Sequence, residues 1–154
     1  MRARLALLAG MAAFAAGCAS PGTRVDAVDD VAAIEAVLAD QCAAWNRGDI
    51  EAFMELGYWK SAELSFHSGG AATKGYDAVL ARYLARYRDG GAETGRLSFS
   101  DARVDLLGPD AAMARGRWAV DFQSKSDIGG LYTLVLRRTP DGWRIVHDHT
   151  SADD

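Results

Sequence analysis

The chain has 154 residues, 25% charged and 49% apolar, with a formal net charge of −4. That length supports one packed core rather than two, the apolar share excludes wholesale disorder, and the acidic balance lacks the basic footprint of a nucleic-acid binder. Its two cysteines, Cys18 and Cys42, cannot by themselves complete a zinc site, so neither a metal nor a cofactor is expected.

Arg2 and Arg4 precede an apolar run from Leu5 to Ala16, too short to span a bilayer but of the length of an export-signal core. The run ends Ala15-Ala16-Gly17-Cys18, which resembles a bacterial lipobox, with Ala15 in place of the usual leucine. The resemblance implies lipidation of Cys18, and Ala19 after it favours the outer membrane. The alternative is ordinary cleavage after an Ala-x-Ala-like site. Both readings place the chain on the periplasmic side of a bacterial membrane; in the first, membrane contact is through the lipid anchor only. The expected organisation is a signal peptide over 1–17, a tether over 18–26 and one domain over 27–154. Removing 1–17 takes away Arg2 and Arg4 and moves the formal charge from −4 to −6. With Cys18 lipidated, Cys42 has no intrachain partner, and its place in a helical pattern makes it a core thiol.

Val28, Val31, Ile34, Leu38, Cys42 and Trp45 recur at three- and four-residue intervals, which predicts a long amphipathic helix. Asn46-Arg47-Gly48 closes it through a left-handed glycine, and the Asp49 carboxylate caps a second helix over Ile50–Leu56. Glu63 to His67 alternates as a short strand closed by Ser68-Gly69-Gly70. Tyr76, Val79, Leu80, Tyr83, Leu84 and Tyr87 then trace a third helix, broken at Asp89-Gly90-Gly91. From Leu97 the period becomes two, in runs Leu97–Leu107, Ala111–Gln123, Leu131–Arg138 and Trp143–Ser151. Gly108-Pro109-Asp110 and Pro140-Asp141-Gly142 mark hairpin turns between them. Three helices followed by four or five antiparallel strands make an α+β fold with the helices on one face of the sheet.

This order, with Trp45-Asn46-x-Gly48-Asp49 closing the first helix, Gly75 opening the third, Gly116-Arg117-Trp118 in a strand and Gly142-Trp143-Arg144-Ile145-Val146-His147-Asp148-His149 at the end, resembles the nuclear transport factor 2-like superfamily and its SnoaL-like domains. The last segment also looks like the final strand of the association domain of calcium/calmodulin-dependent protein kinase. The resemblance implies a cone-shaped, strongly bent antiparallel sheet around the long helix, a pocket at the wide end and a homodimer formed through the sheet. It implies no single activity, since relatives include isomerases, cyclases, dehydratases and assembly modules.

Strand parity puts Trp143, Ile145, His147, His149 and Ser151 on one side of the last strand. His149 and His147, with His67 from the first strand, are therefore candidate proton shuttles; the alternative is that they hydrogen-bond at the sheet end or a dimer seam. Asp121 is a second candidate acid or base, because a carboxylate in an apolar cone gains a raised pKa. Arg117 is a candidate anchor for an anionic ligand, or a surface cation balancing Asp101, Asp105 or Asp121. Trp45, Tyr58 and Tyr132 are candidate walls for a ring-shaped ligand, and His147 and Ser151 candidate polar contacts. The leading expectation is an exported domain binding a small, largely apolar ligand. The alternatives are an isomerase, cyclase or dehydratase working through His149, His67 or Asp121, and a dimeric assembly module without catalysis.

Overall fold

The computed structural model describes residues 23–153; the expected export signal and Cys18 lie outside the described residues. The first helix, α1 (Thr23–Asn46), begins inside the stretch expected to be a tether. Ile34, Leu38, Ala44 and Trp45 form its buried stripe, with Gln41 among them, while Val28 is exposed. Gly48 closes the helix at φ +77°, a conformation glycine adopts without a Cβ penalty. The Asp49 side chain accepts a hydrogen bond from the Ala52 amide at 2.9 Å and caps α2 (Ile50–Gly57).

A hairpin of β1 (Ser65–Ser68) and β2 (Ala71–Lys74) follows, then α3 (Tyr76–Leu84), which runs on into a π-helical turn at Ala85–Asp89. The four long strands are β3 (Arg96–Gly108), β4 (Ala111–Asp121), β5 (Ile128–Thr139) and β6 (Gly142–Thr150). Both hairpin turns fall at the Gly-Pro-Asp and Pro-Asp-Gly signals. The sheet has six strands in the order β2-β1-β6-β5-β4-β3. It is strongly curled and open, and it is mixed rather than purely antiparallel because β1 lies parallel to β6.

Along β4 the inward residues are Ala112, Ala114, Gly116, Trp118 and Val120, small at one end and large at the other. Ala112 and Ala114 let the helices approach the sheet, and Ile34, Met54, Leu64, Val79, Leu136 and Ile145 fill the core between them. The end of α1 is stitched to the start of β3. Leu97 donates its amide to Asn46 Oδ1 at 2.7 Å, and Leu97 O accepts from Asn46 Nδ2 at 3.0 Å and from the Cys42 thiol at 3.1 Å. Trp45 Nε1 donates to Thr94 O at 3.1 Å, so the indole stands at a fixed angle in the space beyond the core.

Candidate functional site

The last strand does not keep one alternation. Ile145 stands opposite Leu136, but the next pairing on β5, Val135, is with His147. Val146 is therefore an extra residue, a β-bulge, and beyond it the two faces exchange. Trp143 and Ile145 point inward, and after the bulge Asp148 and Thr150 do so. His147 and His149 face outward. The bulge sits where the chain leaving α2 meets β6: Tyr58 bridges to Ile145, and the Trp59 amide donates to Ile145 O at 3.0 Å. One contact thus places both Tyr58 and Asp148.

Asp148 is 4% exposed and Tyr58 3%. Tyr58 Oη donates to Asp148 Oδ2 at 2.6 Å, while Asp148 Oδ1 has no hydrogen-bond partner among the described residues. Burial pushes the Asp148 carboxyl up to about 7, and the Tyr58 hydrogen bond only partly offsets it. Burial, then the Asp148 charge, drives the Tyr58 hydroxyl well above its usual 10, so it stays a donor. Burial and the same charge also raise Tyr83.

These groups open on a cavity of about 170 Å³ between the helices and the inner face of the sheet. Its walls include Trp45, Phe53, Tyr83, Tyr87, Phe99 and Trp118. Trp45 meets Phe53 and Tyr87 edge-on, with ring centroids 5.2 and 4.9 Å apart, and Phe99 meets Tyr132 at 5.3 Å. Among the described residues Tyr132 Oη is the second buried side-chain oxygen without a partner. Gly116 stands opposite Tyr132 on β4, and a Cβ there would lie 2.7 Å from the phenol oxygen, so the missing side chain makes room for the hydroxyl. Tyr132 pairs with Thr150 and Leu134 with Asp148, which puts both lone oxygens on one face of adjacent strands. Arg86 and Ile128 are the exposed lining residues and mark the mouth. Larger surface depressions, such as one beside Glu51, Glu55, Lys60 and Lys74, contain no such buried chemistry.

Trp45, Tyr58 and Tyr132, expected as ligand walls, line this cavity; the expected acids and bases do not. His67, His147 and His149 gather instead on the outer face, with the His67 ring 5.1 Å from His147 and 6.0 Å from His149. The physical reason is the bulge, which reverses the parity read for His147 and His149. Burial and the neighbouring imidazoles lower the His147 pKa. Among the described residues no group of three or more His, Cys, Asp or Glu is arranged to hold a metal ion. Asp121 lies exposed at the end of β4, opposite Arg96 and on the outward parity. Arg117 shares that parity and pairs with Asp153 rather than with Asp101, Asp105 or Asp121, while its neighbour Arg115 pairs with Asp105 at 3.1 Å. Ser151 is exposed beyond β6, its carbonyl accepting from Trp118 Nε1 at 3.0 Å. Asp148, the acid the cavity does contain, was hidden by parity. The one local sign of it is the adjacent apolar pair Ile145-Val146, which breaks the alternation two residues earlier.

A family model described as a SnoaL-like domain matches residues 34–153. Among solved structures the chain is similar to an NTF-2 like protein of unknown function from Shewanella oneidensis MR-1, at 36% identity over 81% of this chain and 98% of that one, with a TM-score of 0.72. An NTF2-like protein with a cystatin-like fold from Novosphingobium aromaticivorans matches at 25% identity, covering 86% of this chain and 87% of that one, with a TM-score of 0.69. A ketosteroid isomerase-like protein from Erwinia carotovora atroseptica shares the fold alone, at 20% identity over 82% and 98% of the two chains and a TM-score of 0.68. A search of the curated proteins finds no match.

Proposed function

The chain belongs to the SnoaL-like domain family, and from that premise we propose that it binds a small molecule in the aromatic cavity and moves a proton on it through Asp148. The observation that supports this reading is the buried carboxyl with Oδ2 held by Tyr58 and Oδ1 unpartnered. A carboxyl that titrates near neutrality is matched to give and take protons at working pH. In the reaction that fits, ionised Asp148 removes a proton from the carbon next to a ligand carbonyl. The C–H electron pair moves into an enolate whose oxygen accepts a hydrogen bond from Tyr132 Oη. Asp148 then returns the proton to the same or another carbon, with no net oxidation or reduction. Tyr58 orients the carboxylate and stays protonated throughout.

Exchange of the α-protons of cyclohexanone and cyclohexenone in deuterium oxide, followed by proton NMR, tests this. Wild-type protein is expected to accelerate exchange, and Asp148→Asn to lose about 100-fold or more of that rate while keeping its circular dichroism. Equal rates in the two proteins would remove Asp148 from the chemistry.

We further propose export and anchoring through lipidated Cys18 on the periplasmic side of the outer membrane, supported by the charged start, apolar run and small-residue exit of residues 1–18. Fatty-acid labelling that survives in Cys18→Ser would refute the anchor. A homodimer through the outer sheet face is supported by Leu131, which is 52% exposed there. Light scattering is expected to give twice the mass of one chain, and Leu131→Asp to halve it.

A further inference from the structure

The cavity carries information about what fits it, and three observations converge. Its volume of about 170 Å³ is close to that of an engineered cavity of roughly 150 Å³ that takes one benzene ring. A single ring matches that volume, and a fused polycycle would have to extend out past the mouth. Those walls are faces and edges of aromatic rings, suited to a flat or nearly flat ring.

The second observation is the cation at the mouth. The π-helical turn Ala85–Asp89 brings two consecutive residues, Arg86 and Tyr87, into the cavity lining; such turns recur at functional sites. Its neighbouring arginines are engaged. Arg82 donates to Ser68 O and Thr73 Oγ1 at 3.1 and 3.2 Å, and Arg88 pairs with Glu51 at 3.0 Å and Asp89 at 2.9 Å. Arg86 rests over the Tyr87 ring, its guanidinium carbon 5.3 Å from the centroid, and has no ion-pair partner among the described residues.

The third is polarity along the cavity. The buried lining residues Asp148 and Tyr132 each carry one oxygen without a partner among the described residues, Asp148 Oδ1 and Tyr132 Oη. An anionic group placed there would face the buried Asp148 carboxylate at close range, where screening is weaker than at the surface. An anion therefore belongs at the mouth, on Arg86, with an uncharged oxygen or an acidic C–H beside Asp148 and Tyr132.

We infer that the ligand is a single-ring keto carboxylic acid, its carboxylate held by Arg86 and its ring carbonyl turned toward Tyr132 and Asp148. This deepens the proton-transfer reading and rests on it. The enol of such a compound has the shape and hydrogen bonding of a phenol, so 4-hydroxybenzoate serves as a stable probe of the reacting form. 4-Methylphenol is the same ring without the charge.

Titration calorimetry with both probes and with a four-ring steroid, estradiol, separates the claims. Wild-type protein is expected to bind 4-hydroxybenzoate about tenfold more tightly than 4-methylphenol, the range of one charge-assisted contact. Arg86→Gln, at an exposed position, should erase that preference and leave 4-methylphenol affinity unchanged, and Asp148→Asn should weaken both probes. If Arg86→Gln keeps the tenfold ratio, the carboxylate assignment is wrong while the cavity reading stands. If estradiol binds and the monocycles do not, the single-ring class is wrong, again without touching Asp148. If Asp148→Asn alters no affinity and no exchange rate, the proton-transfer reading falls, and the substrate class with it.

Discussion

Asp148 shows how a functional group weighs on the structure that holds it. An unfolded chain releases this proton near the usual 3.8, whereas the folded chain keeps it to about 7. Over that interval the native state binds more protons than the unfolded one. Stability therefore falls as pH rises from about 4 to about 7 and levels off above, by an amount on the order of a few kcal/mol. Asp148→Asn removes the ionisation, so its melting temperature should exceed that of the wild type at pH 8 and converge with it near pH 4. Parallel melting curves at both pH values would mean that Asp148 does not titrate in this range. Tyr58→Phe acts in the opposite sense on the proton. It deletes the bond that favours the ionised carboxylate, so the apparent pKa of the exchange rate should move upward from about 7. A profile unchanged in Tyr58→Phe would show that the 2.6 Å bond is not made in solution. Gly116→Ala would put a Cβ 2.7 Å from both Ser100 O and Tyr132 Oη. Overpacking of this kind costs about 1–3 kcal/mol, and denaturant melts should register it together with weaker 4-hydroxybenzoate binding.

Among the helices and strands, what the sequence makes legible depends on whether the cause is local. The α1 stripe from Ile34 to Trp45, the Gly48 and Asp49 punctuation and the hairpin turns at Pro109 and Pro140 rest on residues within one turn of each other, and they stand where the pattern put them. Trp45, Tyr58 and Tyr132, expected as ligand walls, line the cavity. Strand β2, Ala71-Ala72-Thr73-Lys74, is short, small-sided and mostly exposed, and offers no alternation to read. Its existence depends on the Gly69-Gly70 turn back onto β1. The parallel alignment of β1 with β6 joins residues some eighty positions apart and has no local signature. The same is true of the β6 bulge, which lies beside the pairing of Ile145 with Tyr58. Parity counted along β6 from Trp143 thus selects the histidines, whereas the register shift against β5 turns Asp148 inward. Because Val146 is an added residue, deleting it restores plain alternation with Asp148 still inward. The shortened strand should keep the wild-type pH profile of proton exchange while losing part of its bend and its stability.

Taken as a whole, the molecule divides its titratable chemistry between two surfaces of one sheet. The inner face carries Asp148 in an aromatic-lined cavity, and the outer face carries all three histidines together with Arg115 and Arg117 in ion pairs. The curled sheet keeps the two apart, so the outer charges can change with little effect on the cavity. The cavity itself makes ligand occupancy a proton-counting event. A ligand that donates a hydrogen bond to Asp148 Oδ1 favours the carboxylate and expels a proton on binding near pH 7, whereas one that only excludes water favours the neutral acid and draws a proton in. Calorimetry in two buffers of different ionisation enthalpy reads that sign directly, with release expected for 4-hydroxybenzoate and uptake for toluene. The protein thereby reports through the bulk pH whether the guest in its core is polar at its buried end.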